Sequence, residues 1–257
     1  MSVLDSIIEG VREDLAKRRR PLGELHEQMS QAPAPLDAHA VLKGDQIKVI
    51  AEVKRASPSK GALSAIGDPA ALAEQYANAG ASVISVLTEE RRFKGSLADL
   101  TSVRDRVSIP ILRKDFMVDE YQFFEARAHG ADMVLLIVAA LAKSQLRDFY
   151  DLATEMGMAA LIEVHTGDEL ERAMEITPRI IGVNSRNLKT LEVNPAAFAE
   201  LIPQIPNEVI RVAESGISQR SDVEFAQSHG ADAILVGEAL VISADPNLAM
   251  RTLLGQG

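Results

Sequence analysis

Short apolar runs in this sequence end, again and again, in side chains that can carry or move a proton. The stretch "IAEVKRASPSKG" at 50 to 61 holds a carboxylate at Glu52, an ammonium at Lys54 and a hydroxyl at Ser57. "PILRKDF" supplies Lys114 and "LIEVH" supplies Glu163. "IGVNSRNL" ends in Asn184, Ser185 and Arg186, "VAESGI" in Glu214, Ser215 and Gly216, and "LVGEAL" in Gly237 and Glu238. "VISVLTEERRF" leads through Thr88 and Glu89 to Arg92 and Phe93. A positioned lysine donates a proton to a developing oxyanion, and carboxylates beside it serve as acid or base. Any one of these groups reads equally well as a surface ion pair or a cap. Together they resist that reading, because burying unpaired charges costs roughly several kcal/mol each.

Such groups act in concert only if the chain gathers the run ends at one place. Strand side chains alternate, so Ile50, Glu52 and Lys54 share one face and Val49, Ala51 and Val53 the other. "NAGASVISVLTEE", "AHGADMVLLIVAA" and "SHGADAILVGEAL" repeat one joint, in which Gly80, Gly130 or Gly230 closes a helical pattern and feeds an apolar strand. With variants of that joint, strands are predicted to start near 48, 82, 110, 132, 159, 180, 209 and 233. The 211 residues from Ile47 to Gly257, divided by eight, give about 26 per unit, enough for a strand, a helix and two loops. The expectation is an α/β fold, a (β/α)8 TIM barrel, preferred to a doubly wound open sheet because no glycine-rich dinucleotide fingerprint or P-loop follows any strand. Asp68-Pro69 and Asp119 are expected helix starts. Residues 1–46 form a helical extension: Leu4, Ile7, Ile8, Val11 and Leu15 recur at helical spacing until Pro21, and "KRRR" at 17 to 20 reads as a solvated helix end. "QAPAPLDAHA" is a short, stiff connection into the barrel, so residues 1–257 are expected to make one domain.

Composition narrows the partners. The chain has 27 Lys plus Arg against 37 Asp plus Glu, a net charge of -10, which repels nucleic acid and anionic membranes. An anionic ligand therefore needs a locally positive pocket. Without cysteine there is no disulfide and no thiolate. The longest apolar run, Met133 to Ala142, is too short to span a bilayer, and the acidic amino terminus does not resemble an export signal. A cytoplasmic protein is expected. The five histidines are scattered, with His165 read as structural, so neither metal nor cofactor is expected. Without a long apolar outer stripe, a monomer is expected.

The carboxyl ends of barrel strands are where such folds place chemistry. Ser215-Gly216 and Gly237-Glu238 fall where many barrels bind phosphate through backbone N–H groups. Ser57 and Lys54 would add a hydroxyl and a cation. Phe93, Phe116 and Leu188, just beyond the strands, could wall an aromatic ring or simply pack.

Taken in order, the quoted motifs, with "VLTEERRFKGS", "LLIVAAL" and the E-x-K-x-x-S-P core of the first, closely resemble the indole-3-glycerol phosphate synthases. The resemblance implies a TIM barrel with an N-terminal extension. It implies conversion of 1-(2-carboxyphenylamino)-1-deoxyribulose 5-phosphate to indole-3-glycerol phosphate in tryptophan synthesis, with no cofactor. Lys114 would be the general acid of ring closure, Glu163 would assist loss of water, and Glu52 would hold and tune the lysines. Lys54 would lie near the substrate carboxylate or phosphate, and Asn184 would orient the substrate. Arg186 and Glu214 would complete the polar floor. Ser57, Ser215, Gly216, Gly237 and the backbone of Glu238 would take the phosphate, while Phe93, Phe116 and Leu188 would enclose the anthranilate ring. Association with other tryptophan-pathway enzymes is a further implication, and no fused isomerase domain is expected. The chain departs from the family's pattern at Ile66-Gly67 and at Ser185 and Asn187. A Schiff-base aldolase using Lys54 or Lys114, and a non-catalytic sugar-phosphate sensor, are the alternative readings.

Overall fold

Each of the eight apolar runs is a strand, buried on both faces, which is why they read as nearly continuous Val, Ile, Leu and Ala. The computed structural model describes residues 2–256. Its principal strands are β1 (Lys48–Val53), β2 (Val83–Leu87), β3 (Ile111–Lys114), β4 (Met133–Ile137), β5 (Ala159–Val164), β6 (Ile180–Asn184), β7 (Ile210–Glu214) and β8 (Ala233–Val236). Every start falls within one residue of its expected position. All neighbours pair in parallel, and β1 pairs with both β2 and β8, so the sheet is a closed barrel and not an open doubly wound sheet. Register places Leu87 beside Lys114, Ile137 beside Glu163 and Asn184 beside Glu214, which levels the carboxyl ends around one mouth.

Alternation splits the core in two. Ile50, Leu112, Leu135, Leu161 and Leu235 fill the barrel, whereas Val49, Ala51, Val134, Ile162 and Val236 pack outward under the helices. The helices that return the chain include α4 (Pro69–Asn78), α5 (Leu97–Arg104), α6 (Tyr121–Ala128), α7 (Lys143–Glu155), α8 (Gly167–Met174), α9 (Ala196–Leu201) and α10 (Arg220–Ser228). Asp68 caps α4 through the Ala71 N–H, with Pro69 in the first turn, as expected. Asp119 lies one position further out than expected: α6 begins after Glu120, and the Asp119 carboxylate accepts from the Tyr121 N–H.

The repeated Gly-Ala-Asp joint has a physical reason. Gly130 and Gly230 take φ of 83° and 101°, a left-handed turn that favours glycine. Two residues later, Asp132 accepts the Ile111 N–H at 2.7 Å and Asp232 accepts the Arg211 N–H at 2.9 Å, so each aspartate fastens the start of one strand to the start of the preceding one. Asp132 also takes the Leu36 N–H and the Arg104 guanidinium. Replacing it with alanine should cost on the order of 1–3 kcal/mol, the penalty for stranding buried donors, read as a lower urea midpoint; an unchanged midpoint would remove this role.

The N-terminal residues are more structured than their composition suggested. They form α1 (Val3–Arg18), α2 (Leu22–Gln31) and α3 (Ala38–Leu42), so the supposed stiff connection contains a helix. Ala38 and Leu42 join the barrel-interior cluster at its amino end, while Ile7 of α1 reaches the opposite mouth. The basic run is not simply solvated. Arg18 pairs with Glu125 of α6 through two hydrogen bonds, and Arg19 pairs with Asp119 and lies over the Tyr121 ring. Periodicity along one helix cannot reveal such partners, which lie about a hundred residues away.

Candidate active site

β1 carries Glu52 into the mouth, 3% exposed, and the Lys54 ammonium returns to within 2.7 Å of its carboxylate. Lys114, the last residue of β3, sits 2.9 Å from Glu214 and 3.6 Å from Glu163. Lys114 is therefore held chiefly by Glu214 and Glu163, and Glu52, given that task from the sequence, pairs directly with Lys54. Glycines make room for both acids. A Cβ on Gly237 would come within 2.6 Å of a Glu52 oxygen, and one on Gly182 would overlap the Glu214 carboxylate.

Asn184 ends β6. Its side-chain oxygen accepts the Arg186 N–H, and its carbonyl accepts from His165 Nδ1 at 2.7 Å. His165 lines a small side cavity behind Glu163 rather than the mouth. Arg186 donates to the Leu191 carbonyl, which shapes the loop carrying Leu188. Ser215 and Gly216 both have positive φ, 66° and 71°, and the Ser185 hydroxyl braces the Ser215 carbonyl. Ser185, one of the departures, thus sits buried beneath this turn; Asn187, another, organises its own loop by accepting from the N–H groups of Lys189 and Thr190.

The residues given catalytic or substrate-binding roles from the sequence, from Glu52 to Glu238, all line this one cavity of about 130 Å3. Thr88, Glu89 and Arg92 do not. The Glu89 carboxylate instead collects the N–H groups of Arg91, Arg92 and Phe93, turning the loop so that Phe93 faces Phe116 with ring centroids 6.1 Å apart. Sequence reasoning missed Ile7, Asp115, Leu191 and Ile217 of the lining. For Ile7 the helical spacing was visible, but nothing local shows that α1 crosses the mouth.

Three carboxylates face two ammoniums here, so the fully ionised cluster carries an excess negative charge. Burial pushes the Glu52 carboxyl up, but Lys54 and Lys114 overcome this and hold it below the usual range. Burial opposes charge on Lys114, yet Glu214, Glu163 and Glu52 keep it well above an ordinary lysine. Burial, aided by Glu163 and opposed by Lys114, pushes the Glu214 carboxyl up to about 7. The excess charge is thereby relieved at Glu214. An anionic substrate enters more easily while Glu214 is neutral, so kcat/KM should fall as pH rises through about 7. Glu214→Gln should flatten that limb, and a parent profile already flat across it would count against the assignment.

An eight-stranded parallel barrel with a lysine and carboxylates converging at its carboxyl-end mouth is the architecture of a (β/α)8-barrel acid–base enzyme. Among solved structures the chain resembles 3-hexulose-6-phosphate synthase from Salmonella typhimurium, with a TM-score of 0.66 and 13% identity, covering 81% of this chain and 97% of that one, a likeness of fold. The family model for indole-3-glycerol phosphate synthase matches residues 4–253. "Indole-3-glycerol phosphate synthase 1" of Streptomyces coelicolor is 56% identical over 259 residues, covering 100% of this chain and 96% of the relative. The indole-3-glycerol phosphate synthase of an Arthrobacter species is 58% identical over 253 residues, covering 96% and 93%. This chain belongs to the indole-3-glycerol phosphate synthase family.

Proposed function

We infer that the mouth carries out the family's reaction: ring closure, decarboxylation and dehydration of 1-(2-carboxyphenylamino)-1-deoxyribulose 5-phosphate, yielding indole-3-glycerol phosphate, carbon dioxide and water. The supporting observation is the Lys114 ammonium, held by Glu214 and Glu163 in the lining of the cavity. Attack of the ring carbon on the ketone develops negative charge on oxygen, and a fixed ammonium stabilises and protonates it. Loss of the carboxylate then restores the aromatic ring. Dehydration needs a proton delivered to the leaving hydroxyl and one removed from the methylene carbon beside the nitrogen, so that water leaves and the second double bond of the indole forms; Glu163 is assigned to assist this step.

Glu52 holds the Lys54 ammonium at 2.7 Å, where it is assigned to the substrate's anionic groups. Glu214 Oε1 is buried against Gly182 without a hydrogen-bond partner among the described residues, its Oε2 holds Lys114, and Asn184 is assigned to orient the substrate in the same region. The phosphate is assigned to the turn at Ser215 and Gly216, the N–H groups of Gly237 and Glu238, and Ser57. Phe93, Phe116 and Leu188 flank the aromatic ring. No metal or cofactor enters this scheme.

A Schiff-base aldolase would need Lys114 as a neutral amine, and the acids around it favour the charged form. The extension and barrel are read as one domain, since Arg18 docks α1 and Ile7 reaches the mouth. A monomer acting on a small phosphorylated substrate completes the proposal. No helix among the described residues is long and apolar enough to cross a membrane. Incubation with the carboxyphenylamino deoxyribulose phosphate, followed by indole fluorescence, tests the activity; absence of product would overturn it, and borohydride trapping of a substrate on lysine would favour the aldolase.

A further inference from the structure

A carboxylate stands at the phosphate end of the mouth. Glu238 follows Gly237 directly, and its side chain is part of the cavity lining, 30% exposed. Its backbone N–H suits a phosphate, but its side chain repels one. The chain after β1 answers that charge. A two-stranded hairpin, Ala56–Ser57 with Gly61–Ala62, turns the backbone so that the Lys60 N–H approaches the Ser57 hydroxyl at 3.3 Å. Gly61, with φ of 67°, permits the turn. The Lys60 ammonium then lies 2.7 Å from Glu238 Oε1. Lys60 is itself 57% exposed, so the pair adds little to folding stability. Its consequence is local charge: with Lys60 in place the entrance to the phosphate end is neutral, and without it a fixed anion faces an arriving dianion in a protein of net charge -10.

We propose that Lys60 is a specificity-determining residue for the phosphorylated substrate, acting by neutralising Glu238 at the phosphate end of the mouth. This rests on the phosphate assignment made above. Lys60 touches neither the aromatic end nor the Lys114 centre, so its loss weakens binding and spares the chemical step.

The experiment measures KM and kcat with the phosphorylated substrate, together with competitive inhibition by inorganic phosphate, in the full chain. Lys60→Ala should raise KM, and weaken phosphate inhibition, by on the order of tenfold at low salt, with kcat within about twofold and the penalty shrinking as salt is added. Lys60→Arg should stay near the parent. In Lys60→Ala/Glu238→Gln the offending charge is gone, and KM should return to within about threefold of the parent. An unchanged KM in Lys60→Ala, or a double variant as impaired as Lys60→Ala, would overturn the proposal. The two levels separate cleanly: if inorganic phosphate competes equally well in parent and Lys60→Ala, only the role of Lys60 falls, whereas if it competes in neither, the phosphate assignment falls with it.

Discussion

Replacing Lys114 with methionine is expected to lower kcat by on the order of 10² to 10⁴, the range for a positioned proton donor, while KM changes far less. Methionine keeps the aliphatic stem and removes only the ammonium. Two effects then act together. The ketone oxygen loses its proton source, and Glu214 and Glu163, which share that ammonium at 2.9 and 3.6 Å, are left facing each other. Lys114→Arg separates these effects. It restores a cation between the acids, but a guanidinium holds its proton too tightly to deliver it efficiently. The arginine variant should therefore recover stability and remain slow. A methionine variant as fast as the parent would remove Lys114 from the chemistry.

The largest effect on folding is expected at the residue just before it. Arg113 is fully buried and points to the outer side of the barrel, where its guanidinium meets Asp115 at 2.9 Å, Glu125 at 3.1 Å, the Gln122 carbonyl at 2.8 Å and the Thr88 hydroxyl at 3.2 Å. Glu125 in turn accepts Arg18 of α1, and Asp115 accepts the Phe116 N–H. Arg113→Ala leaves the buried Asp115 without a cation and Glu125 with Arg18 alone, which costs roughly 3–5 kcal/mol, read from the shift in denaturant midpoint. A loss under about 1 kcal/mol would mean that water or rearrangement satisfies the acids instead.

The same network sets an acid limit. Burial pushes the Glu125 carboxyl up, but Arg18 and Arg113 overcome it and hold it below its ordinary value of 4.5. A folded-state pKa below the unfolded one contributes stability that is present above the unfolded value and is lost as pH falls through the folded one. The parent should therefore lose stability in acid below about 4.5, and Arg18→Ala, which removes one of the two cations, should make that loss smaller.

Much of the site was legible because chemistry is written locally. Glu52, Lys54, Lys114, Glu163, Asn184 and Glu214 each close a strand-length apolar run, and every one of them lines the mouth. Thr88, Glu89 and Arg92 looked the same in sequence and were misplaced. Glu89 satisfies three backbone N–H groups of its own loop, and no pattern of residue types separates a loop organiser from a reacting group. The basic run at 17 to 20 failed for a related reason, since its partners Glu125, Asp119 and Tyr121 come from α6.

What the sequence determined by itself was the number of strands, their starts, the faces their side chains take and the glycine joints that feed them. These follow from backbone geometry and from the two-residue period of a strand, both properties of neighbours along the chain. Only the tertiary structure decided that Lys114 answers to Glu214 and Glu163 while Glu52 answers to Lys54, that Ile7 comes across the mouth, and that Lys60 meets Glu238. Those pairings depend on barrel closure and register, which bring Lys60 to Glu238 across 178 residues of chain, and electrostatic partnership is set by ångströms in space, not by distance in sequence.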